Sequence, residues 1–268
     1  MGEARARGAE ASQGEEPPRC PDAAVGRGRP LRLLATALVA ATAVVVALGA
    51  LVVFIARGRQ PQPPSLAQVR APGIPANVPT TLANLMGILP LNTPAPGFVL
   101  TDQNGRPLAL SDLRGKVVVL EFMDPHCIDI CPLVSEEFVD AYHDLGPTAA
   151  KVVFLAVNVN RYHLGVPDVL AYSNEHGLVT IPSWHFLTGP LPALRAVWHD
   201  YGVLAQAPSP SADIVHTSIV YVIDPRGVER YAAAPSADRT AAGKAYLPVD
   251  QLAAWGRGIA LLAEDVAS

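Results

Sequence analysis

From residue 116 onward the chain alternates short, unbroken apolar runs with longer segments whose apolar positions recur at helical spacing. KVVVLEFM (116–123) and KVVFLAV (151–157) predict strands buried on both faces. PLVSEEFVDAYHDL, directly after the first, places Leu133, Val134, Phe138, Val139 and Tyr142 along one side of a helix. PDVLAYSNEHG predicts a second helix, from a proline to Gly177, SWHFLTG (183–189) a short strand, and PLPALRAVWHDYG a third helix. HTSIVYVIDPRGVERYAAA gives two β-rich runs around the turn Asp224-Pro225-Arg226-Gly227, hence a hairpin, and VDQLAAWGRGIALLAE closes as an amphipathic helix. The order β-α-β-α-β-α-β-β-α predicts an α/β domain with a mixed sheet over about 91–268, and AAAPSADRTAAGKA reads as a surface loop within it.

The pattern upstream is different. Residues 1–30 are polar and rich in Pro, Gly and Arg, and predict a disordered tail. Within 31–56 the run from Leu33 to Ala56 carries no charge; as a helix it would reach roughly 36 Å, enough to span a bilayer core. A cleavable signal peptide is the alternative, but its apolar core is usually about half as long. Arg27, Arg29 and Arg32 before the span outnumber Arg57 and Arg59 after it, which puts the tail in the cytoplasm and the remainder on the extracytoplasmic side, periplasmic or at the cell surface. Residues 57–90, with RQPQPPSLAQVRAPGIPANVP, predict a Pro-rich linker.

Composition narrows the partners. Half of the 268 residues are hydrophobic, the net charge is −4, and no basic stretch interleaved with aromatics marks a nucleic-acid surface. Beyond residue 56 there are 14 Lys and Arg against 19 Asp and Glu, so that part is no polybasic binder of anionic lipid, and the single span is the predicted membrane tether. Three cysteines are too few for a disulfide scaffold; the two in DPHCIDICP (124–132) point to a local redox pair or a metal site. Cys20 falls in the predicted tail and carries no assigned role.

Cys127 and Cys131 sit at the predicted carboxyl end of a central strand and at the start of the next helix, where α/β sheets place their sites and where backbone N–H groups favour thiolate over thiol. A four-residue offset lets both sulfurs converge, as a disulfide when oxidised or as two ligands to a soft ion when reduced. Two thiolates under-fill a copper(I) site, so an imidazole is wanted. His216, just before the strand 218–223, is the best placed of the seven histidines, against the alternative of a surface or hydrogen-bonded histidine. His126 is expected to point away from its neighbour's sulfur.

FMDPHCIDICP, with the upstream FVLTDQNGRPLALSDLRGKVVVLEF, WHFLTG and the downstream VHTSIVYVIDPRG, resembles the Sco/SenC family over about 95–230. That resemblance implies a thioredoxin-like mixed sheet flanked by helices, with an inserted β-hairpin matched to 216–231. It implies a membrane-tethered copper carrier for the binuclear copper centre of cytochrome c oxidase, holding copper(I), with copper(II) also within reach, through Cys127, Cys131 and His216. The expected partner is the copper-receiving subunit of that oxidase or another copper protein. The chain departs from the family pattern at Met123-Asp124-Pro125 and in NVNRYHLGVPD, places that bear on partner recognition more than on metal binding.

Asp124 and Asp129 are candidates to tune the sulfurs by their charge, or simply to cap the loop. His143, His163, His176, His185 and His199 are expected to be solvated or satisfied locally, with His163 in the divergent loop near the site; Trp184, Phe186 and Trp198 are expected in the core. The second reading of the cysteine pair is a thiol:disulfide oxidoreductase that keeps another copper protein's cysteines reduced, in which His216 is dispensable.

Overall fold

The computed structural model describes residues 70–267 except 211 and 213. The predicted tail (1–30), span (31–56) and first part of the linker lie outside the described residues. No helix among those described is long and apolar enough to cross a membrane.

In chain order the main elements are α1 (Thr80–Met86), β1 (Leu89–Pro94), the hairpin strands β2 (Val99–Thr101) and β3 (Pro107–Ala109), β4 (Val117–Met123), α2 (Cys131–Asp144), β5 (Val152–Asn158), α3 (Val166–Glu175), β6 (Trp184–Leu187) and α4 (Leu191–Asp200). There follow β7 (Ala205–Gln206), β8 (Val215–His216), β9 (Val220–Ile223), β10 (Val228–Ala233), β11 (Asp238–Arg239), β12 (Ala245–Tyr246) and α5 (Val249–Val266). One six-stranded sheet runs β1-β10-β9-β4-β5-β6. β4, β5 and β6 are parallel, while β9, β10 and β1 continue the sheet antiparallel, so the sheet is mixed as the alternating pattern predicts.

β4 and β5 are buried at every position, which is why they read as unbroken apolar runs and not as alternating ones. Val117, Val119 and Met123 of β4 face a layer built from α1, α2, α3 and α5. Val118, Leu120 and Phe122 face the opposite layer, where α4 and the β2–β3 hairpin pack. α5 approaches two helices closely: a Cβ on Gly256 would come within 2.5 Å of the Asp140 Cβ of α2, and one on Gly258 within 2.0 Å of the Met86 sulfur of α1. Both glycines stand where a larger residue would push helices off the sheet.

Two expectations need correction. The Pro-rich linker does not extend to residue 90: Ile74, Val78, Leu82, Met86 and Ile88 are core residues, and β1 pairs with β10. The prolines here are compatible with structure, because Pro79 precedes the first turn of α1 and β1 is an edge strand, where Pro90 and Pro94 cost little. Likewise the hairpin at 216–231 is not an insertion. β9 and β10 form the sheet itself, whereas His216 belongs to a separate small hairpin, β8 against β7. Residues 217–219 leave the strand conformation between them, so His216 pairs with Ala205 and is freed from the sheet.

Candidate metal centre

The parallel strand β4 ends at Met123, and the seven residues to Ile130 form a loop that feeds α2 at Cys131. Asp124 is 4% exposed and holds this loop from inside. Its Oδ1 accepts the His126 N–H at 2.8 Å and the Asn160 Nδ2–H at 2.8 Å, and its carbonyl accepts the Cys127 N–H. Asp129 faces outward, where its two carboxylate oxygens receive both terminal nitrogens of Arg239 at 2.8 and 2.7 Å, tying the loop to β11. The Asp129 N–H lies 3.4 Å from the Cys127 sulfur. Asp124 thus acts as a clasp, and Asp129 touches the site through its backbone rather than its charge.

The two cysteines are free thiols in this structure, so the disulfide expected of the oxidised pair is not formed here. They are not equivalent. Cys127 is partly exposed, and its thiol is lowered to about 7 by the hydrogen bond from the Cys131 thiol; burial opposes this, and the N–H groups of Cys131 and Asp129 reinforce it. The sulfur thereby satisfies N–H groups at the unpaired start of α2. Cys131 is 2% exposed and moves the other way: donating to Cys127 and burial both push its thiol up. The expectation that the helix start favours thiolate on at least one cysteine is met at Cys127, where the Cys131 thiol contributes most and the N–H groups add to it.

His216 reaches the pair from across the site. Its Nε2 lies 3.9 Å from the Cys131 sulfur, and its Nδ1 lies 3.0 Å from the Thr217 carbonyl. A carbonyl only accepts, so Nδ1 carries the proton and the Nε2 lone pair points at sulfur. Burial also lowers the imidazole's pKa, which keeps it neutral near pH 7. Two sulfurs and one unprotonated imidazole nitrogen make a soft, three-donor set that fits copper(I). An open cleft of about 630 Å3, lined by Cys127, Ile130, His216, Ser218, Arg239 and Lys244, gives access to it.

Sequence reasoning missed Glu121. On β4 directly behind the loop it is 1% exposed, its Oε1 accepts the Ser218 hydroxyl at 2.9 Å, and burial pushes its carboxyl up to about 8. Glu137 of α2 lies in the same layer, and burial raises it as well, so two neutral acids stand beneath the site. An acidic residue inside the otherwise apolar strand segment VVVLEFM was the available signal. Of the other histidines, His185 meets Asp102 and His199 meets Asp200, as expected of locally satisfied residues. Trp184, Phe186 and Trp198 are core residues. His126 Nε2 faces Asp168 Oδ1 at 3.3 Å, and His163 stacks on its ring.

The SCO1/SenC family model matches residues 91–244. "Protein SCO2, mitochondrial" of Saccharomyces cerevisiae is 31% identical over 140 residues, covering 48% of this chain and 44% of its own, so this chain spans under half of that relative's length. The apo Sco1 protein of Thermus thermophilus superposes with a TM-score of 0.51 at 25% identity, covering 66% of this chain and 94% of that one. ScoI of Bradyrhizobium japonicum, solved with copper bound, gives a TM-score of 0.51 at 22% identity, covering 65% and 99%. The fold is thioredoxin-like, a mixed sheet with helices on both faces.

Proposed function

The chain belongs to the SCO1/SenC family, and on that footing we propose that it is a copper carrier, held to a membrane by one span at 31–56. It takes copper(I), and can take copper(II), through Cys127, Cys131 and His216, and passes it to the binuclear copper centre of a respiratory cytochrome c oxidase or to another copper protein. The observation that carries this reading is the approach of His216 Nε2 to the Cys131 sulfur with its tautomer fixed by Thr217. The copper-bound ScoI of Bradyrhizobium japonicum supports it. Cys127, the more accessible sulfur, is the first donor a recipient's thiolate displaces; His216 and the buried Cys131 let go afterwards. The folded domain faces the extracytoplasmic side, with the N-terminal tail in the cytoplasm.

The asymmetry of the thiols also favours a second reading, a thiol:disulfide oxidoreductase. The Cys127 thiolate would attack a partner disulfide and release one partner thiolate; Cys131 would then displace the other, leaving the partner reduced and a Cys127–Cys131 disulfide. Mixing the copper(I)-loaded full chain with an apo recipient in its dithiol and then its disulfide form separates the two readings. Copper movement to the dithiol recipient, lost in His216→Ala, is the expected result for a carrier. Reduction of the disulfide recipient by both chains alike, without copper movement, would overturn it in favour of the reductase.

A further inference from the structure

On the side of the cysteine loop away from His216, three metal-binding side chains converge that the copper reading does not use. His126 Nε2 lies 3.3 Å from Asp168 Oδ1, and His163 Nδ1 lies 3.9 Å from the same oxygen. All three donor atoms fall within 4.8 Å of one another, and the two imidazole rings stack with centroids 3.8 Å apart. We propose that His126, His163 and Asp168 form a second metal site, for a borderline divalent ion such as copper(II) or zinc(II).

The geometry is close to what such an ion requires. With bonds of about 2.0–2.1 Å, tetrahedral donors stand about 3.3 Å apart; His126 and Asp168 are already at that spacing, and His163 must close by about 0.6 Å on Asp168 and by at most about 1.5 Å on His126. Each residue is also fixed from behind. The His126 N–H is bound to Asp124 Oδ1 at 2.8 Å, the His163 N–H to Asn160 Oδ1 at 3.0 Å, and Asp168 Oδ2 accepts the Gly165 N–H at 3.0 Å. That last bond occupies one carboxylate oxygen at the start of α3 and leaves the other turned toward both rings. A single ion pair would account for one imidazole beside Asp168; two rings brought to one oxygen are better explained by a shared centre. The side chains are 48%, 36% and 29% exposed, so water can complete the coordination and an ion can enter directly. Two imidazoles and a carboxylate form an N2O set that prefers copper(II), zinc(II) or nickel(II) over copper(I).

This second site stands or falls independently of the copper(I) carrier reading. Its test uses the full chain in detergent with the neighbouring sulfur site silenced by Cys127→Ser and His216→Ala, titrated with copper(II) and separately with zinc(II). The expected result is one equivalent of zinc(II), displaced by one equivalent of copper(II) whose paramagnetic resonance spectrum shows coupling to two imidazole nitrogens. Adding His163→Ala should remove that equivalent, and Asp168→Asn should weaken it. Wild-type chain with Cys127 and Cys131 oxidised to the disulfide, with and without His163→Ala, gives the same comparison should the silenced variant fold poorly. Absence of the equivalent, or its survival in His163→Ala, overturns the proposal.

Discussion

On one flank of the cysteine loop Cys131 is 2% exposed, its sulfur facing an imidazole whose other nitrogen is tied to a carbonyl; on the other flank His126 and His163 stack in partial contact with solvent around Asp168. Clefts open on both flanks, and Cys127, Ile128 and Lys244 border each of them. The contrast lies in burial and donor chemistry. Burial penalises charge, so the His216 flank keeps Glu121 and His216 neutral and leaves its negative charge on sulfur, which suits a soft monovalent ion. The His163 flank keeps a carboxylate near water, which suits a harder divalent one.

The largest effect that would sharpen this comparison comes from beneath the buried flank. Glu121 ionises near 4.5 when unfolded but near 8 in the fold, so between those values the folded chain holds the extra proton. Its contribution is fully present below about pH 4.5 and is lost as pH rises toward 8. Denaturant unfolding of wild type and Glu121→Gln at pH 5 and pH 8 should therefore show wild type losing more stability, with a difference on the order of 4 kcal/mol at most. Parallel pH dependences would contradict the buried, neutral carboxyl. His163→Ala, on the exposed flank, should leave the wild-type slope unchanged.

Thiol reactivity gives a smaller, more local contrast. Alkylation of the reduced chain should rise with pH through a midpoint of about 7 as Cys127 becomes thiolate, below the ordinary thiol value of about 8.5. The slower reaction of Cys131 should follow at higher pH, and copper(I) should protect both. A common midpoint for the two sulfurs would erase the asymmetry on which ordered ligand release depends.

The smallest effect is expected at the rim. Arg239→Ala removes the two-point ion pair with Asp129, but that pair is exposed. It should leave the thermal midpoint unchanged and alter copper(I) affinity by less than about twofold. A large loss of affinity would mean that Asp129 acts by holding the loop, and that the buried flank is less self-sufficient than its packing indicates.

The elements around the buried flank were legible because their signals are local. A seven-residue run as rich in valine as β4 is too short for an ordinary helix and reads as a strand buried on both faces, and α2 carries its apolar positions at helical spacing directly after the cysteines. Prolines hid α1 and β1, since a proline at a helix start or an edge strand looks, in sequence, like one in a linker. The position of His216 beside the sulfurs could be anticipated, but not the hairpin that carries it, because β7 and β8 are two residues each. The exposed flank was illegible for a different reason. His126, His163 and Asp168 meet only because Asn160 bonds Asp124 with its amide and the Tyr162 and His163 N–H groups with its oxygen, folding the 158–168 loop back over the cysteine loop. Contacts of this kind follow no periodicity, and neither does the Asp129–Arg239 pair across 110 positions.

The central claim, that the two sulfurs and His216 form one copper(I) site, is tested most directly by anaerobic copper(I) titration of the full chain in detergent against a competing chelator. The same titration is run on Cys127→Ser, His216→Ala and His163→Ala. One tightly held ion in wild type and in His163→Ala, weakened by at least about 100-fold in each of the other two, is the predicted result. Tight binding that survives His216→Ala would contradict the three-donor site.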